Sequence, residues 1–415
     1  MNRRLTKVVA LVLAGVLLVG SVGLAGCGEE EEVVPEILIG VLTDFTGPAS
    51  SAVIPLYESL RDYFRMLEEE DPIPGVEVNF VNYDQRTDYA RTVPGWIWLV
   101  GQGITAGVVL SPHDNNALAD RYEADKIPVL SSMAVPELFE HDWLYATIYS
   151  EEAQAEAILQ WILDDWDGTG LPKAGHIGTN ISLSEYLQRG IDPFLAEHVG
   201  EIEWMGQEKG IMGASAWAAE IDHLKDCDYI IISLVGPMTA SFVNEVRQRG
   251  YTGKLVSDQN NFVAYWDLIA GVTPEEELYD CYYTAWWPWW NEDVPMIRDL
   301  KTYTEKYHPG ELEALYVSSG PVSGWQMGMV LGDAIRRAVE DVGAENVDGT
   351  AIRDALADTH LPVEGVGEDV WEITGTKNIF AKGQRIFEWI VDDQEWVAVW
   401  PAGGKEWYLA PSMEG

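Results

Sequence analysis

The sequence predicts an α/β fold made of two doubly wound lobes. Short runs of branched apolar residues alternate with helical patterns, and this alternation is typical of parallel sheets with right-handed crossovers. The alternation runs to about residue 148 and restarts at Glu151, so we expect two such sheets. The length agrees with this, because 415 residues are too many for a single core.

The first strand-loop-helix unit lies in residues 37–48. Its apolar run breaks at Thr43 and Asp44, and Gly47-Pro48 indicates a turn before a helical pattern. A buried strand that opens into a polar loop before a helix is where open α/β sheets bind their ligands. We therefore interpret this stretch as the first unit of a two-lobed binding protein.

The other elements follow from apolar periodicity and from the turn residues between apolar runs. In the first lobe we expect three helices, at 57–70, over a stretch whose last residues are 96–101, and at 117–124. We expect strands in the same lobe at 76–82, 106–110, 127–130 and 144–148. In the second lobe we expect helices at 152–166, 184–198, 216–224 and 239–249, and strands at 173–178, 201–205, 229–233, 254–257 and 278–285. Helices at 294–307 and 322–342 and strands at 385–391 and 396–400 complete the lobes.

The first 26 residues read as a signal peptide. Arg3, Arg4 and Lys7 precede an apolar segment over residues 8–24, and small residues stand immediately before Cys27. The alternative is a retained membrane anchor, although a segment of about 17 residues is at the short end for a span. Residues 28–35 are an acidic tether that like charges keep extended.

The composition is strongly acidic, with a formal net charge of −42. The leader holds three of the positive charges and no acid, so the mature chain is near −45. Nucleic acids and anionic lipid surfaces require basic patches, so we expect neither as a partner.

Cysteine is scarce, and besides Cys27 the chain has only Cys227 and Cys281. Both lie at or within predicted strands of the same lobe. They either pair in an oxidising compartment or remain two buried free thiols, and the sequence leaves both alternatives open.

No motif brings a nucleophile, a base and an orienting group together, so an enzyme is the weaker class. His113-Asp114 is a candidate general base or half of a metal site, but no second ligand stands at metal spacing. The glycine-rich patterns of dinucleotide and phosphate loops are also absent from the sequence. We expect no cofactor and no metal.

Four tryptophans lie where the chain should cross between lobes, in Ala285-Trp286-Trp287-Pro288-Trp289-Trp290. Indoles either fill the core at such a position or form an apolar wall of a ligand cleft. Both interpretations stand, and we expect at least one of the four to face the cleft.

Several motifs together resemble a known family. They are Ile-Gly-Val-Leu-Thr-Asp-Phe-Thr-Gly-Pro at 39–48, Ala-Asp-Arg-Tyr-Glu at 119–123, Ile-Pro-Val-Leu-Ser-Ser-Met-Ala-Val-Pro-Glu-Leu at 127–138, Cys-Asp-Tyr-Ile-Ile-Ile-Ser at 227–233 and Gly-Gln-Arg-Ile-Phe at 383–387. In order and spacing they resemble the leucine/isoleucine/valine-binding protein family, the solute-binding components of ABC importers. Leu-Ala-Gly-Cys at 24–27 resembles the lipobox of bacterial lipoproteins, which implies that Cys27 carries lipid.

The resemblance implies the type I periplasmic binding protein fold, with two Rossmann-like lobes joined by three crossovers near Ser150, Ala285 and Arg385. Lobe 1 is then residues 36–149 with 286–384, and lobe 2 is 150–285 with 385–415. Residues 1–26 are the signal peptide, and residues 27–35 are the lipidated cysteine and its tether.

The resemblance also implies the ligand contacts. Loops after the third and fourth strands supply hydroxyl and backbone groups to a ligand carboxylate, and the other lobe and Tyr316 add to them, while Trp287 is the candidate from the tryptophan cluster described above. The expected contacts are Ser111, His113, Asp114, Ser132, Met133, Ala134, Leu183, Ser184, Asp258, Gln259, Trp287 and Tyr316.

Two positions depart from the family pattern. Ser182-Leu183-Ser184 stands where relatives often have an aromatic residue, and Gln259 stands where relatives have an acid for the ligand ammonium. A neutral amide cannot replace a charge-assisted hydrogen bond. Either Asp258 takes that role, or the ligand has no α-ammonium group.

The resemblance implies an extracytoplasmic, lipid-anchored solute-binding protein of an ABC importer. It would capture an amino acid or a related small organic solute by hinge closure. Its expected partners are that solute, an ABC permease and, through the lipid on Cys27, the membrane. The alternatives are a sensing module of the same fold that feeds a regulator, and an extracytoplasmic hydrolase that uses His113 or Asp114.

Overall fold

The computed structural model describes residues 34–132, 140–180, 182–258, 261–315, 318–362, 370–372, 378–380, 383–401, 407–408 and 410–411. Residues from Glu36 onward form one compact unit. The predicted signal peptide, Cys27 and most of the acidic tether lie outside the described residues. Within the described residues, no helix is both long and apolar enough to cross a membrane.

The first sheet has five strands, all parallel, in the order β2-β1-β3-β4-β5. These strands are β1 Glu36–Thr43, β2 Glu77–Asp84, β3 Ala106–Val109, β4 Val129–Ser131 and β5 Leu144–Ala146. Helices α1 Ser50–Glu70, α2 Thr92–Gly101 and α3 Pro112–Asp125 connect them. Strands β3, β4 and β5 are buried along their whole length, as continuous apolar runs in a parallel sheet require.

The second sheet begins after helix α4 Glu151–Asp165. Its elements along the chain are β6 Lys173–Thr179, α5 Ser182–Glu197, β7 Glu203–Gly210, α6 Ala218–Leu224, β8 Tyr229–Ser233, α7 Pro237–Gln248, β9 Lys254–Ser257, α8 Trp266–Val272 and β10 Cys281–Ala285. Strands β6 to β10 are parallel to one another.

The C-terminal part of the chain serves both sheets. Its elements are α9 Pro295–Tyr307, α10 Leu312–Leu315, α11 Gly320–Val342, α12 Gly349–Ala357, β11 His360–Pro362, β12 Val370–Glu372, β13 Arg385–Ile390 and β14 Glu395–Trp400. Helices α9 and α11 pack on α1 beside the first sheet. Strands β13 and β14 join the second sheet antiparallel, which gives the order β14-β13-β10-β9-β8-β6-β7.

The α/β class with two doubly wound sheets is therefore confirmed, although the second sheet also contains the antiparallel strands β13 and β14. Strands β8 and β9 have the predicted bounds. Helix α1 begins at Ser50 rather than at residue 57. Pro55 lies within its first two turns and does not end the helix. Strand β7 runs to Gly210, five residues beyond its predicted end. Helix α12 and the β11–β12 hairpin were not predicted.

Cys227 and Cys281 are both free and buried, which decides between the two alternatives in favour of two thiols. Burial raises the pKa of the Cys227 thiol to about 12 and that of Cys281 to about 11. Both groups are therefore protonated and unreactive at neutral pH.

Candidate functional site

A cavity of about 180 Å³ lies between the carboxyl ends of the two sheets. From the first sheet, its walls are formed by residues that directly follow β1 to β4, and by the N-terminal turns of α1 and α11. From the second sheet, they are formed by residues that follow β7, β8 and β9. The lining residues are Thr43, Asp44, Pro48, Ala49, Ala52, Val53, Leu56, Gln85, Thr87, Tyr89, Leu110, Ser111, His113, Ser132, Met212, Val235, Gly236, Asn261, Ala264, Tyr265, Ser319, Gly320 and Ser323.

The loop after β1 is organised by Asp44, which is 4 % exposed. Its carboxylate accepts hydrogen bonds from the backbone N–H groups of Gly47 and Ala49 and, at 2.6 Å, from the Thr87 hydroxyl. A Cβ at position 47 would lie 2.6 Å from Asp44 Oδ2, so only glycine fits this turn. The loop thus holds a carboxylate at the cavity wall and satisfies it with its own donors.

The lining has little other charge. Among the lining residues that the structure describes, Asp44 is the single carboxylate, and there is no lysine or arginine. His113 stacks on Tyr89 with ring centroids 3.6 Å apart, and both rings line the cavity. Apolar side chains of α1 and of the loops after β8 and β9 form the rest of the wall, which suits a small organic molecule with an apolar body.

Helix α3 begins earlier than expected and takes in most of the loop predicted at 111–116. Ser111 caps the helix by accepting a hydrogen bond from the Asp114 N–H at 3.4 Å, and Pro112 occupies the first helical position. Ser111 and His113 remain at the cavity wall. Asp114 turns away from it, because the helix directs its side chain into the core.

Asp114 is fully buried and holds other residues in place. Its carboxylate accepts hydrogen bonds from the Thr92 hydroxyl and from Gln85 Nε2 at 2.7 Å. Burial raises the pKa of Asp114, against the opposing effect of these hydrogen bonds. It was expected among the ligand contacts but is not among the lining residues; instead it fixes the amide of one of them, Gln85.

In the second sheet, two residues that were expected to contact the ligand form internal hydrogen bonds that stabilise the loops instead. Neither is among the lining residues of the cavity. Ser184 is buried; its hydroxyl accepts from the Thr179 N–H and donates to the Ser233 carbonyl, both at 2.8 Å. Asp258 is buried and accepts from the backbone N–H of Asn261 at 2.9 Å and from its side-chain Nδ2 at 2.6 Å. Asn261, not Asp258, is the lining residue.

Of the remaining expected contacts other than Trp287, the structure describes Ser132 and Leu183. Ser132 follows β4 and lines the cavity, while Leu183 is the second residue of α5. Met133, Ala134, Gln259 and Tyr316 lie outside the described residues.

The four tryptophans of 286–290 are at most 2 % exposed, and none of them is among the lining residues. Trp287 packs edge-to-face on Trp286 at 4.4 Å, and its carbonyl accepts from Arg385 Nη2 at 3.0 Å. Trp290 donates from Nε1 to the Ser318 carbonyl at 2.9 Å. These contacts make the indoles part of the core beside β10 and β13, in agreement with the packing interpretation.

Sequence reasoning missed several lining residues, notably Gln85, Gly236, Asn261, Tyr265 and Ser323. The first four follow β2, β8 and β9, so the rule that ligands bind at the carboxyl ends of strands would have found their loops. Ser323 lies in the first turn of α11, and no feature of the sequence links that helix to the cavity.

The described residues contain no group of three or more His, Cys, Asp or Glu side chains that could hold a metal ion. The polar groups at the cavity wall are instead hydroxyls, amides, the His113 imidazole and one carboxylate that is already hydrogen-bonded. This arrangement can hold a small molecule by hydrogen bonds and apolar contact.

Comparisons with known proteins agree with this fold. A family model described as "Periplasmic binding protein" matches residues 36–392. A branched-chain amino acid ABC transporter protein from Thermus thermophilus with bound valine is similar in structure, with a TM-score of 0.76, 17 % identity and coverage of 89 % of this chain and 97 % of that one. A fatty acid ABC transporter substrate-binding protein from Thermomonospora curvata has a TM-score of 0.75, 18 % identity and coverage of 91 % and 95 %.

A third similar structure is the substrate-binding protein LivJ from Streptococcus pneumoniae in complex with isoleucine. Its TM-score is 0.70, with 15 % identity and coverage of 88 % of this chain and 100 % of that one. No curated protein matches the sequence.

Proposed function

Because the chain belongs to the family of periplasmic binding proteins, we propose that it captures a small organic solute outside the cytoplasm and delivers it to an ABC importer. The observation that carries the proposal is the cavity whose walls come from the carboxyl ends of both sheets. Family membership implies the extracytoplasmic location.

The solute would act by stabilising a closed arrangement of two lobes, residues 36–149 with 286–384 and residues 150–285 with 385–415. Contacts across the cavity support this. Asn116 of α3 donates from Nδ2 to the Tyr186 hydroxyl of α5 at 2.9 Å, and a Cβ at Gly236 would lie 3.3 Å from the Pro48 carbonyl. A solute that touches both walls adds to these contacts and shifts the population towards closure.

The solute class in this proposal is an amino acid or a related small organic molecule. The similar structures are described with valine, with isoleucine and as a fatty acid transporter component. The apolar wall of this cavity suits the apolar part of any of these, while its hydroxyl and amide groups suit a polar end.

The test is a thermal-shift and small-angle scattering titration of the full-length protein with branched and aromatic amino acids, amides, amines and carboxylates. We expect at least one solute to raise the unfolding temperature and to lower the radius of gyration, since ligand binding stabilises the form that it closes. If no solute of this panel changes either quantity, the proposal is wrong.

A pair of variants makes the test specific for the cavity. Ala264 lines the wall on the side of the second sheet, so the indole in Ala264→Trp should fill the space and abolish the shift. Ala219 is exposed on α6, so Ala219→Trp should leave the shift unchanged. A shift that survives in Ala264→Trp would place the solute elsewhere.

We further propose that lipid on Cys27 holds the protein at the membrane, where it meets the permease. The lipobox-like Leu-Ala-Gly-Cys supports this. Acyl chains contribute about 0.8 kcal/mol for each buried CH₂, so two or more give stable anchoring. In fractionated cells the Cys27→Ser variant should move from the membrane to the soluble fraction; if it stays with the membrane, the lipid is not the anchor.

A further inference from the structure

Helices α3 and α5 meet beside the cavity, although they belong to different sheets. Helix α3 follows β3 and helix α5 follows β6, and each begins at the carboxyl end of its strand. Asn116 in the second turn of α3 donates from Nδ2 to the hydroxyl of Tyr186 in the second turn of α5, at 2.9 Å. Neither residue is among the lining residues of the cavity, so this hydrogen bond joins the two sides without occupying the space for a solute.

The α3 side of this contact is fixed by the residue that precedes Asn116. Asn115 is fully buried; it donates from Nδ2 to Ser131 Oγ at 2.9 Å and accepts from the Tyr122 hydroxyl at 2.9 Å. Asn116 itself is exposed, at the surface where Tyr186 lies. The buried hydrogen bonds hold the turn that carries Asn116, so little additional order is needed for its side chain to reach across.

The α5 side is fixed by contacts with the beginning of α4. The Arg189 guanidinium lies over the Tyr186 ring, 5.4 Å from its centroid, and Arg189 Nη2 lies 3.4 Å from Glu152 Oε1. Glu152 stands in the first turn of α4, where the chain enters the second sheet. A Cβ at Gly190 would lie 2.3 Å from the Glu152 carbonyl oxygen, so α5 packs directly on the backbone of α4. The Tyr186 ring therefore belongs to a well-packed part of its own side.

The hydrogen bond depends on how close the two sides are. Opening of the cavity would move α3 away from α5, because they belong to the two lobes whose closure is proposed above. The bond therefore adds to the stability of the closed form alone. One hydrogen bond between neutral groups shifts such an equilibrium by about two- to tenfold. The shift should be near the lower end here, because Asn116 is exposed.

We propose that Asn116 and Tyr186 form a latch, a hydrogen bond that holds the closed form together and raises the affinity for the solute without touching it. This inference rests on the proposed solute-binding function and assigns two positioning residues outside the cavity. It holds for any class of solute, because the bond joins protein to protein. The alternative is that Tyr186 only stabilises its own side, in which case its replacement has the same effect whether or not Asn116 is present.

The test is a double-mutant cycle on the full-length protein. The probe is whichever of leucine, phenylalanine, 4-methylpentanamide, 3-methylbutylamine and 4-methylpentanoate binds most tightly in calorimetry. Asn116→Ala and Tyr186→Phe each remove one partner of the latch, and each should weaken the binding of the probe by about threefold. The double variant should also bind about threefold more weakly and not about ninefold, because both changes break the same bond.

The rate constants show on which step the latch acts. The solute enters the open form, in which the bond is absent, so the association rate constant of either variant should not fall. Dissociation requires opening, so the dissociation rate constant should rise by about threefold. Stopped-flow measurement of tryptophan fluorescence checks both.

Two matched controls remove a hydrogen bond that lies within one side of the molecule. Asn346→Ala removes a bond from Nδ2 to the Val342 carbonyl at 2.8 Å, and Tyr279→Phe removes one from the hydroxyl to the Tyr251 carbonyl at 3.4 Å. Both controls should bind the probe as the wild type does. Thermal unfolding shows whether each variant is folded. If Tyr186→Phe is not, Asn116→Ala changes an exposed side chain and decides the test through its affinity and rate constants.

The outcomes separate the latch from the function on which it rests. If neither single variant binds more weakly, or if the two effects multiply in the double variant, the latch is overturned and the solute-binding function stands. A fall in the association rate constant with unchanged dissociation has the same meaning. If no solute of the panel binds, the proposed function is wrong. The latch then stands only if Tyr186→Phe raises the radius of gyration of the solute-free protein, and equal radii overturn it as well.

Discussion

At the scale of single residues, His176 of β6 is a buried imidazole whose ring nitrogens contact neutral side chains. Its Nε2 lies 2.6 Å from Ser233 Oγ, and its Nδ1 lies 2.9 Å from Gln188 Oε1 and 3.1 Å from Gln207 Nε2. Burial lowers the pKa of His176 to about 4, because the charged form would lose its hydration. The folded protein therefore keeps this ring neutral at a pH where the unfolded chain protonates it.

This gives the first prediction, which concerns acid stability. Between pH 6.5 and about 4 the unfolded chain binds one more proton than the folded one at this site, so the free energy of unfolding falls as the pH is lowered. The loss from His176 amounts to about 3 kcal/mol below pH 4. We expect His176→Gln to be less stable at pH 7 but to lack this part of the pH dependence in urea unfolding.

A matched control is His223→Gln, because the His223 side chain is 69 % exposed in the folded protein. That variant should follow the wild-type pH dependence. If His176→Gln instead loses stability in parallel with the wild type from pH 6.5 to 4, the buried ring does not account for the slope.

For the residues of the site, the sequence predicted which strand end they follow but not the direction of their side chains. Ser111, His113 and Ser132 line the cavity, as their places at strand ends suggest. Asp114, in the first turn of α3, and Asp258, directly after β9, also follow strand ends, but their carboxylates turn inward and accept hydrogen bonds from neighbouring amides. The direction of a side chain depends on helix caps and internal hydrogen bonds, and neither is visible as a pattern of apolar residues.

At the scale of secondary-structure elements, α11 approaches α1 closely through a series of glycines. Gly320, Gly324, Gly328 and Gly332 recur every four residues and face α1. A Cβ at Gly324 would lie 2.0 Å from the Leu56 carbonyl oxygen, and one at Gly328 would lie 2.6 Å from Tyr63 Cβ. At Gly324 the contact is with the backbone of α1, so a change of rotamer in a neighbouring side chain cannot relieve it.

The second prediction is that Gly324→Ala separates these helices and destabilises the protein. Overpacking of this kind costs about 1–3 kcal/mol, and the cost should approach the upper end because the clash is with backbone. Gly271→Ala in α8 is the control, since no atom lies within 4 Å of its added Cβ and alanine is the better helix former. Urea unfolding of the two variants checks this; equal stability would mean that the helices can move apart at no cost.

The spacing of these glycines is present in the sequence, and the helix at 322–342 was predicted from its periodicity. The sequence did not predict that α1 packs against this helix. A series of small residues indicates that another element approaches closely, but it does not indicate which element. The beginning of α3 was missed for a different reason. Ser111-Pro112 is a good helix start, but the polar residues that follow it are also typical of a ligand loop.

At the scale of the whole molecule, charge is the dominant feature. The chain has 68 acidic residues and only 26 basic ones, so most carboxylates cannot form an ion pair. The ion pairs that do form are mostly on the surface, for example Arg298 with Asp293 and Lys225 with Asp222, where each contributes about 0–1 kcal/mol. Self-repulsion among the unpaired carboxylates opposes the compact state.

The third prediction follows from the balance between these two effects. Raising NaCl from about 0.01 M to about 0.5 M shortens the Debye length from about 30 Å to a few ångströms, which screens repulsion over long distances as well as attraction within pairs. Since repulsive pairs greatly outnumber attractive ones in this chain, we expect the unfolding temperature to rise by several degrees. An uncharged cosolute at matched osmolality serves as the control and should give a smaller rise. A fall in the unfolding temperature with salt would mean that local ion pairs, and not the net charge, determine the electrostatic stability of the fold.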